Sequence, residues 1–144
     1  MARLTVPATG SVYFDTSAII FSVEKIEPLA SRLRPYWLAA RSGDLALMTS
    51  ELTLLETLVK PIQSGDDALE QSFRALLLQS RELQMIPITT AVLERAAHLR
   101  AEFGVKTPDA IHAASALLLG CGQFVTHDSG FRRVAGLPVT MITE

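Results

Sequence analysis

Three aspartates in this chain stand where a carboxylate could meet a metal ion. Asp15 follows the run Ser11–Phe14, Asp109 follows Thr107 and Pro108, and Asp128 follows Gln123–Thr126. Asp15 and Asp128 lie just after predicted strands. Asp109 lies in the first turn of a predicted helix, where the helix dipole favours a negative charge. In open parallel sheets ligands bind outside the carboxyl ends of the strands, so all three acids are expected at one edge. Crowded carboxylates raise one another's pKa and cost stability unless a cation offsets them. No His or Cys cluster accompanies them, so an all-oxygen site suits Mg²⁺ or Mn²⁺. The reaction class that follows is metal-assisted phosphodiester hydrolysis. Each acid also has a plain structural use, Asp15 and Asp128 as helix caps and Asp109 as a first-turn acid. Their joint arrival at one edge is what points to chemistry.

A fourth acid is not selected by this reasoning. Glu51 opens its helix, where the dipole alone accounts for it. Glu56 lies about 110° from the centre of the apolar stripe Leu52, Leu55, Leu58, Val59 and Ile62, on a wheel of roughly 100° per residue. Both remain open on physical grounds. His112, three residues after Asp109, either donates to the site from behind or is hydrogen-bonded in the core.

The elements that must position these residues alternate along the chain. Short apolar runs at 11–14, 45–48, 83–88, 123–126 and 139–142 read as strands. Between them, 17–25, 28–41, 51–62, 68–82, 90–103 and 107–119 read as helices, with a short helix around 130–134. The expected N-caps are Thr16 or Ser17, Thr49 or Ser50, Thr89 or Thr90, and Thr107 with Pro108 at the first helical position. Pro35 either kinks its helix or opens its second half, and Pro61 is expected to close the helix that holds Glu56. Residues 1–10 read as a flexible lead-in. The alternation predicts an α/β fold, a three-layer α/β/α sandwich around a mainly parallel, roughly five-stranded sheet.

The chain has 144 residues and is 49% hydrophobic, enough for one domain over 1–144 with a core at about 11–142. A formal net charge of −2 gives no bulk electrostatic grip on nucleic acid or membrane. RNA stays compatible if a bound metal neutralises several acids. The single cysteine, Cys121, makes no internal disulfide and reads as a small turn residue between two glycines. There is no apolar run of the ~18–20 residues that a membrane span needs and no signal-peptide pattern, so a soluble, cytoplasmic protein is expected. Arg32, Arg34, Arg41, Lys60, Arg132 and Arg133 are candidate RNA contacts, the last two nearest an acid. A receiver-like phospho-acceptor domain would need an acidic pair at the first strand and a late Lys. Asp15 stands alone there, and no Lys follows Lys106.

Four segments, YFDTSAII, SELTLLETLVKP, KTPDAIHAA and THDSGF, occur in an order and spacing that resembles the PIN-domain family. The closest likeness is to VapC-like ribonuclease toxins of toxin–antitoxin pairs, over about Ser11 to Ile142. The resemblance implies a PIN-like fold and a quartet of acids binding Mg²⁺ or Mn²⁺, here Asp15, Glu56, Asp109 and Asp128. It thereby chooses Glu56. It also implies a hydroxyl at Thr126 that orients a metal water or phosphate, while the family's usual Asn before the last acid is His127 here. The activity implied is endoribonuclease, with a homodimer and a cognate antitoxin as partners. The exposed faces of the helices at 17–41 and 50–82 would receive the antitoxin. A catalytically silent scaffold that binds RNA or protein is the alternative.

Overall fold

The computed structural model describes residues 4–142. The expected lead-in falls partly on residues 1–3, and the expected 1–144 span ends on 143–144, both outside the described residues. Residues 4–10 form neither helix nor strand.

Five strands, β1 (Ser11–Phe14), β2 (Ala46–Ser50), β3 (Leu83–Ile86), β4 (Gln123–Thr126) and β5 (Val139–Met141), form one sheet in the order β3-β2-β1-β4-β5. Every pairing is parallel. Among the described residues six α-helices accompany it: α1 (Thr16–Val23), α2 (Leu29–Arg41), α3 (Leu52–Ser64), α4 (Asp67–Arg74), α5 (Thr90–Phe103) and α6 (Thr107–Leu119).

Side chains alternate across a strand, and that period sorts the core into two layers. Val12, Phe14, Leu47 and Val125 pack against Ile19, Leu33, Tyr36 and Phe73 from α1, α2 and α4. Tyr13 and Phe124 face the other way, onto Leu99, Ala110, Ala113 and Ala114 from α5 and α6. The α/β/α sandwich is therefore as expected, with five strands all parallel. Strand order reverses at β1, because β2 and β3 lie on one side of it and β4 and β5 on the other. Ligands of such sheets bind at the switch point, outside the carboxyl ends of the strands, where Asp15 follows β1 directly and Asp128 follows β4 two residues on.

Several local expectations are corrected. Asp15 caps α1, its side chain accepting from the Ala18 N–H, so Thr16 is already helical and Ser17 follows it. Thr49 and Ser50 belong to β2, although the Ser50 hydroxyl still accepts from the Leu52 N–H. Lys106 precedes α6 without a side-chain cap, and Thr107 is its first residue. Pro61 sits inside α3, which runs on to Ser64 and stops at Gly65 with φ +68°. A left-handed residue is the common helix stop, and glycine adopts it without a Cβ clash. The stretch expected as one helix over 68–82 is α4 followed by a π-type turn, Ala75–Gln79. Thr89 caps α5 as expected.

The largest correction concerns α3. Leu55, Val59 and Ile62 of its expected core stripe are exposed by 61%, 46% and 55%. The residues it buries are Thr53, Thr57, Leu58 and Pro61. The helix lies against a polar neighbourhood. The Thr53 hydroxyl is within 2.7 Å of Thr49 and 3.2 Å of Thr16, so the hydroxyls satisfy one another and are buried cheaply.

Candidate active site

Asp15 is the most deeply placed of the four acids, 5% exposed at the end of the central strand. Its backbone N–H extends the ladder to the Val125 carbonyl. Oδ1 accepts from the Ser17 hydroxyl at 2.6 Å and from the Ala18 N–H at 3.2 Å, and Oδ2 accepts from the Thr126 hydroxyl. Burial pushes its pKa up, and the bonds from Ser17 and Thr126 only partly counter this.

Thr126 is fully buried. Its hydroxyl donates to Asp15 and accepts from the Asp128 N–H at 3.0 Å. The resemblance implies a part in orienting water or phosphate, but here the hydroxyl proton is committed to tying the first acid to the last. Thr126→Val keeps the volume and strands both the Asp128 N–H and Asp15 Oδ2. We expect it to lose about 1–3 kcal/mol in urea unfolding, with Thr126→Ser close to wild type. A Val variant as stable as wild type would contradict this tie.

Asp128 is exposed in the turn after β4, and its Oδ1 accepts from the Gly130 N–H at 2.8 Å. Asp109 is half-buried in the first turn of α6. Its pKa is raised, first by burial and next by the charge of Asp128, with Asp15 and Glu56 adding to the effect and His112 opposing it. The fold thus brings acids from four separate segments close enough to act on one another's charge. Glu51, the other open choice, instead accepts from the Ile88 N–H and ties α3 to the loop after β3.

Glu56 is held differently from the aspartates. Its Oε1 accepts from the Thr16 hydroxyl at 2.7 Å and lies 2.7 Å from His112 Nε2. Burial pushes its carboxyl up, but the bonds from His112 and Thr16 outweigh it and leave the pKa below its ordinary value. The two open readings of His112 coincide: it is 3% exposed and also reaches the acids. Tyr13 and Thr16 contact His112, roles that go beyond the strand residue and the cap the sequence suggests. The strand period could have placed Tyr13 on the α6 side, but its pairing with a residue 99 positions away carries no local signal.

All donors among the four acids are oxygens, and Asp109 sits in the field of three further carboxylates. That chemistry fits a hard divalent cation. As they stand, no three His, Cys, Asp or Glu side chains among the described residues form a group that could hold a metal. Repulsion between unscreened carboxylates and the hydroxyl bonds on Asp15 favour such spreading, and a cation would have to draw the side chains together.

Of the basic candidates, Arg132 and Arg133 are exposed in the 3₁₀ turn Ser129–Arg133 directly after Asp128. Arg41 pairs with Glu82, and Arg32 donates to the Ile142 carbonyl. The His127 ring packs edge-on against Phe21 with centroids 5.1 Å apart, and the His127 backbone N–H donates to the Ser17 hydroxyl. Cys121 is buried, and its thiol pKa is pushed up to about 11, which suits the turn residue expected. No helix among the described residues is long and apolar enough to cross a membrane.

A family model described as the PIN domain matches residues 12–137. No curated protein matches the chain. Among solved structures, VapBC2 from Rickettsia felis, bound to a promoter DNA fragment, is 18% identical with a TM-score of 0.74, covering 91% of this chain and 98% of its own. A toxin–antitoxin complex from Klebsiella pneumoniae is 26% identical with a TM-score of 0.66, covering 91% and 97%. VapC20 from Mycobacterium tuberculosis, a toxin that cleaves the sarcin–ricin loop, is 18% identical with a TM-score of 0.69, covering 88% and 95%.

Proposed function

The chain belongs to the PIN-domain family, and from that premise we propose that it is a divalent-metal-dependent endoribonuclease, the toxin of a toxin–antitoxin pair. The observation that carries the reading is geometric: Asp15 and Asp128 follow the neighbouring strands β1 and β4 and share Thr126, and Asp109 opens α6 beside them, so like charges gather at one sheet edge. A fold that keeps such repulsion at the switch point of a parallel sheet gives up stability, a trade expected of a functional site.

Asp15, Asp109 and Asp128 would hold Mg²⁺ or Mn²⁺, with Glu56 completing the quartet. Bound there, the cation would activate water as a nucleophile and offset the charge that develops on the scissile phosphate. The chain's own residues do the rest. Thr126 and Ser17 fix the Asp15 carboxylate from two sides, so the deepest ligand is pre-oriented. Thr126 also fixes the backbone of Asp128, coupling the exposed acid to the buried one. Arg133 and Arg132, exposed just beyond Asp128, would be the residues to meet RNA phosphates.

Partners of the relatives' kind would need surface to bind. Leu55, Val59 and Ile62 form an exposed apolar ridge on α3, within the helices expected to receive an antitoxin. A second copy of the chain is the other partner proposed. The alternative reading is a catalytically silent scaffold that binds RNA or protein.

RNA cleavage separates the two. Purified protein free of any antitoxin is expected to cut RNA with Mg²⁺ or Mn²⁺ and to stop when EDTA is added. Cleavage that continues in EDTA would overturn the metal mechanism. Binding of RNA without cleavage at any divalent concentration would favour the scaffold.

A further inference from the structure

His112 is buried on α6 among apolar neighbours, yet both of its ring nitrogens are engaged. Tyr13 Oη lies 2.7 Å from Nδ1, while Glu56 Oε1 and Thr16 Oγ1 lie 2.7 Å and 3.1 Å from Nε2. A neutral imidazole has one N–H and one bare nitrogen, and its partners decide which is which. The Tyr13 phenol is fully buried with Oη 2.7 Å from Nδ1, and a phenolic O–H can donate to it. Glu56 Oε1 already accepts from the Thr16 hydroxyl, so it acts as an acceptor and the nitrogen facing it at 2.7 Å must carry the hydrogen. The reverse tautomer would press a bare Nε2 against a carboxylate oxygen at 2.7 Å. In the neutral ring, both partners therefore select Nε2–H.

The Tyr13 ring is itself immobilised. Phe124 stacks on it at 5.1 Å and 6°, and Phe131 packs on Phe124 at 4.7 Å. The sheet thus holds Tyr13, Tyr13 holds His112, and His112 holds Glu56.

We propose that His112, with its tautomer set by Tyr13, is a positioning residue that fixes the Glu56 carboxylate together with Thr16. Both bonds fall on Oε1 and leave Oε2 as the oxygen to turn toward the aspartates. The consequence for cation binding rests on the functional reading above; the hydrogen-bond relay itself does not. Loss of a partner that orients a metal ligand typically costs 10–100-fold in affinity, which sets the expected effect at about that size.

The test uses the full, metal-free chain at neutral pH, with imidazole ¹⁵N–¹H correlation spectra for the tautomer and calorimetry with Mn²⁺ alone for affinity. Wild type is expected to show His112 with Nε2 protonated and Nδ1 bare, and Tyr13→Phe to lose that single tautomer. His112→Gln keeps an N–H near the place of Nε2 and should bind Mn²⁺ within a few-fold of wild type. His112→Leu, of similar bulk but without a donor, should bind about 10–100-fold more weakly. Protonated Nδ1 in wild type, with Nε2 bare or also protonated, would overturn the relay, and the wild-type spectrum decides this even if a variant fails to fold. Equal Mn²⁺ affinity in His112→Leu would overturn the positioning role. A wild-type chain that shows the tautomer but binds no Mn²⁺ would overturn the metal mechanism and leave the relay standing.

Discussion

Asp15→Asn is expected to lower RNA cleavage by at least about 100-fold while leaving the fold in place, a loss of the size seen when one preorganised electrostatic contact is removed. Both oxygens of Asp15 are held, by Ser17 and Ala18 on one side and Thr126 on the other. The Asn carbonyl can keep accepting from the Ala18 N–H, so the cap on α1 survives, and Asn is as good a cap as Asp. What changes is the charge and the edge facing Thr126, where an amide NH₂ now meets a hydroxyl that had been donating. Burial also pushes the Asp15 pKa up, so a neutral side chain relieves a cost in the folded state. The expected signature is therefore an inactive protein that melts close to wild type. Matched unfolding curves and cleavage assays check it. Activity within tenfold of wild type would remove Asp15 from the centre of the reaction, and collapse of the fold would show its role to be structural.

The layering of the fold was legible because it rests on local periods. Apolar strands of a few residues, helices between them and acids after two of the strands were enough for a parallel three-layer sandwich and for the edge at which ligands would bind. The inner face of α3 was only partly legible, because, of its expected stripe, Leu58 is buried while Leu55, Val59 and Ile62 are exposed. Thr53 and Thr57 face inward, and Leu55, Val59 and Ile62 face out. Hydrophobic periodicity assumes that a helix turns its apolar face to its own core. It fails beside a polar network and wherever apolar surface is left exposed. The wheel angle assigned to Glu56 failed with it, since it was measured from a stripe that is not the buried one. The likeness of the SELTLLETLVKP segment to a known family chose Glu56, and the bond to His112 then ties that side chain to α6. Capping residues were misplaced by one or two positions because several hydroxyls and acids compete at each helix start. Asp15 outcompeted Thr16 and Ser17, and the cap it makes uses the same oxygen that Ser17 holds.

A divalent cation is expected to stabilise the chain most where its acids are ionised, and the sign follows from their pKa directions. Asp15 and Asp109 are both raised, by burial first and, for Asp109, next by the charge of Asp128. Above the unfolded aspartate pKa of about 3.9, the native state then binds more protons than the unfolded state, so stability falls as pH rises through the raised values. Glu56 is lowered and acts in the opposite sense, contributing stability above about 4.3 that is lost as pH falls through its folded value. The two effects occupy different windows, with the aspartate loss lying on the neutral side. Metal-free protein should therefore lose melting temperature between about pH 4 and neutrality. At neutral pH, Mn²⁺ at a hundred times its dissociation constant should restore about 2.7 kcal/mol, roughly 8 °C for a chain of this size. Asp109→Asn should raise the metal-free stability by about 1 kcal/mol, as relief of an unfavourable functional charge does, and should remove most of the response to Mn²⁺. Melting curves with and without the cation, across pH, measure all of these together. A metal-free protein that grows more stable toward neutral pH, or an Asp109→Asn variant less stable than wild type, would mean that the acids are already compensated within the fold. The case for a cation at this edge would then fail, because the repulsion it is meant to relieve would not exist.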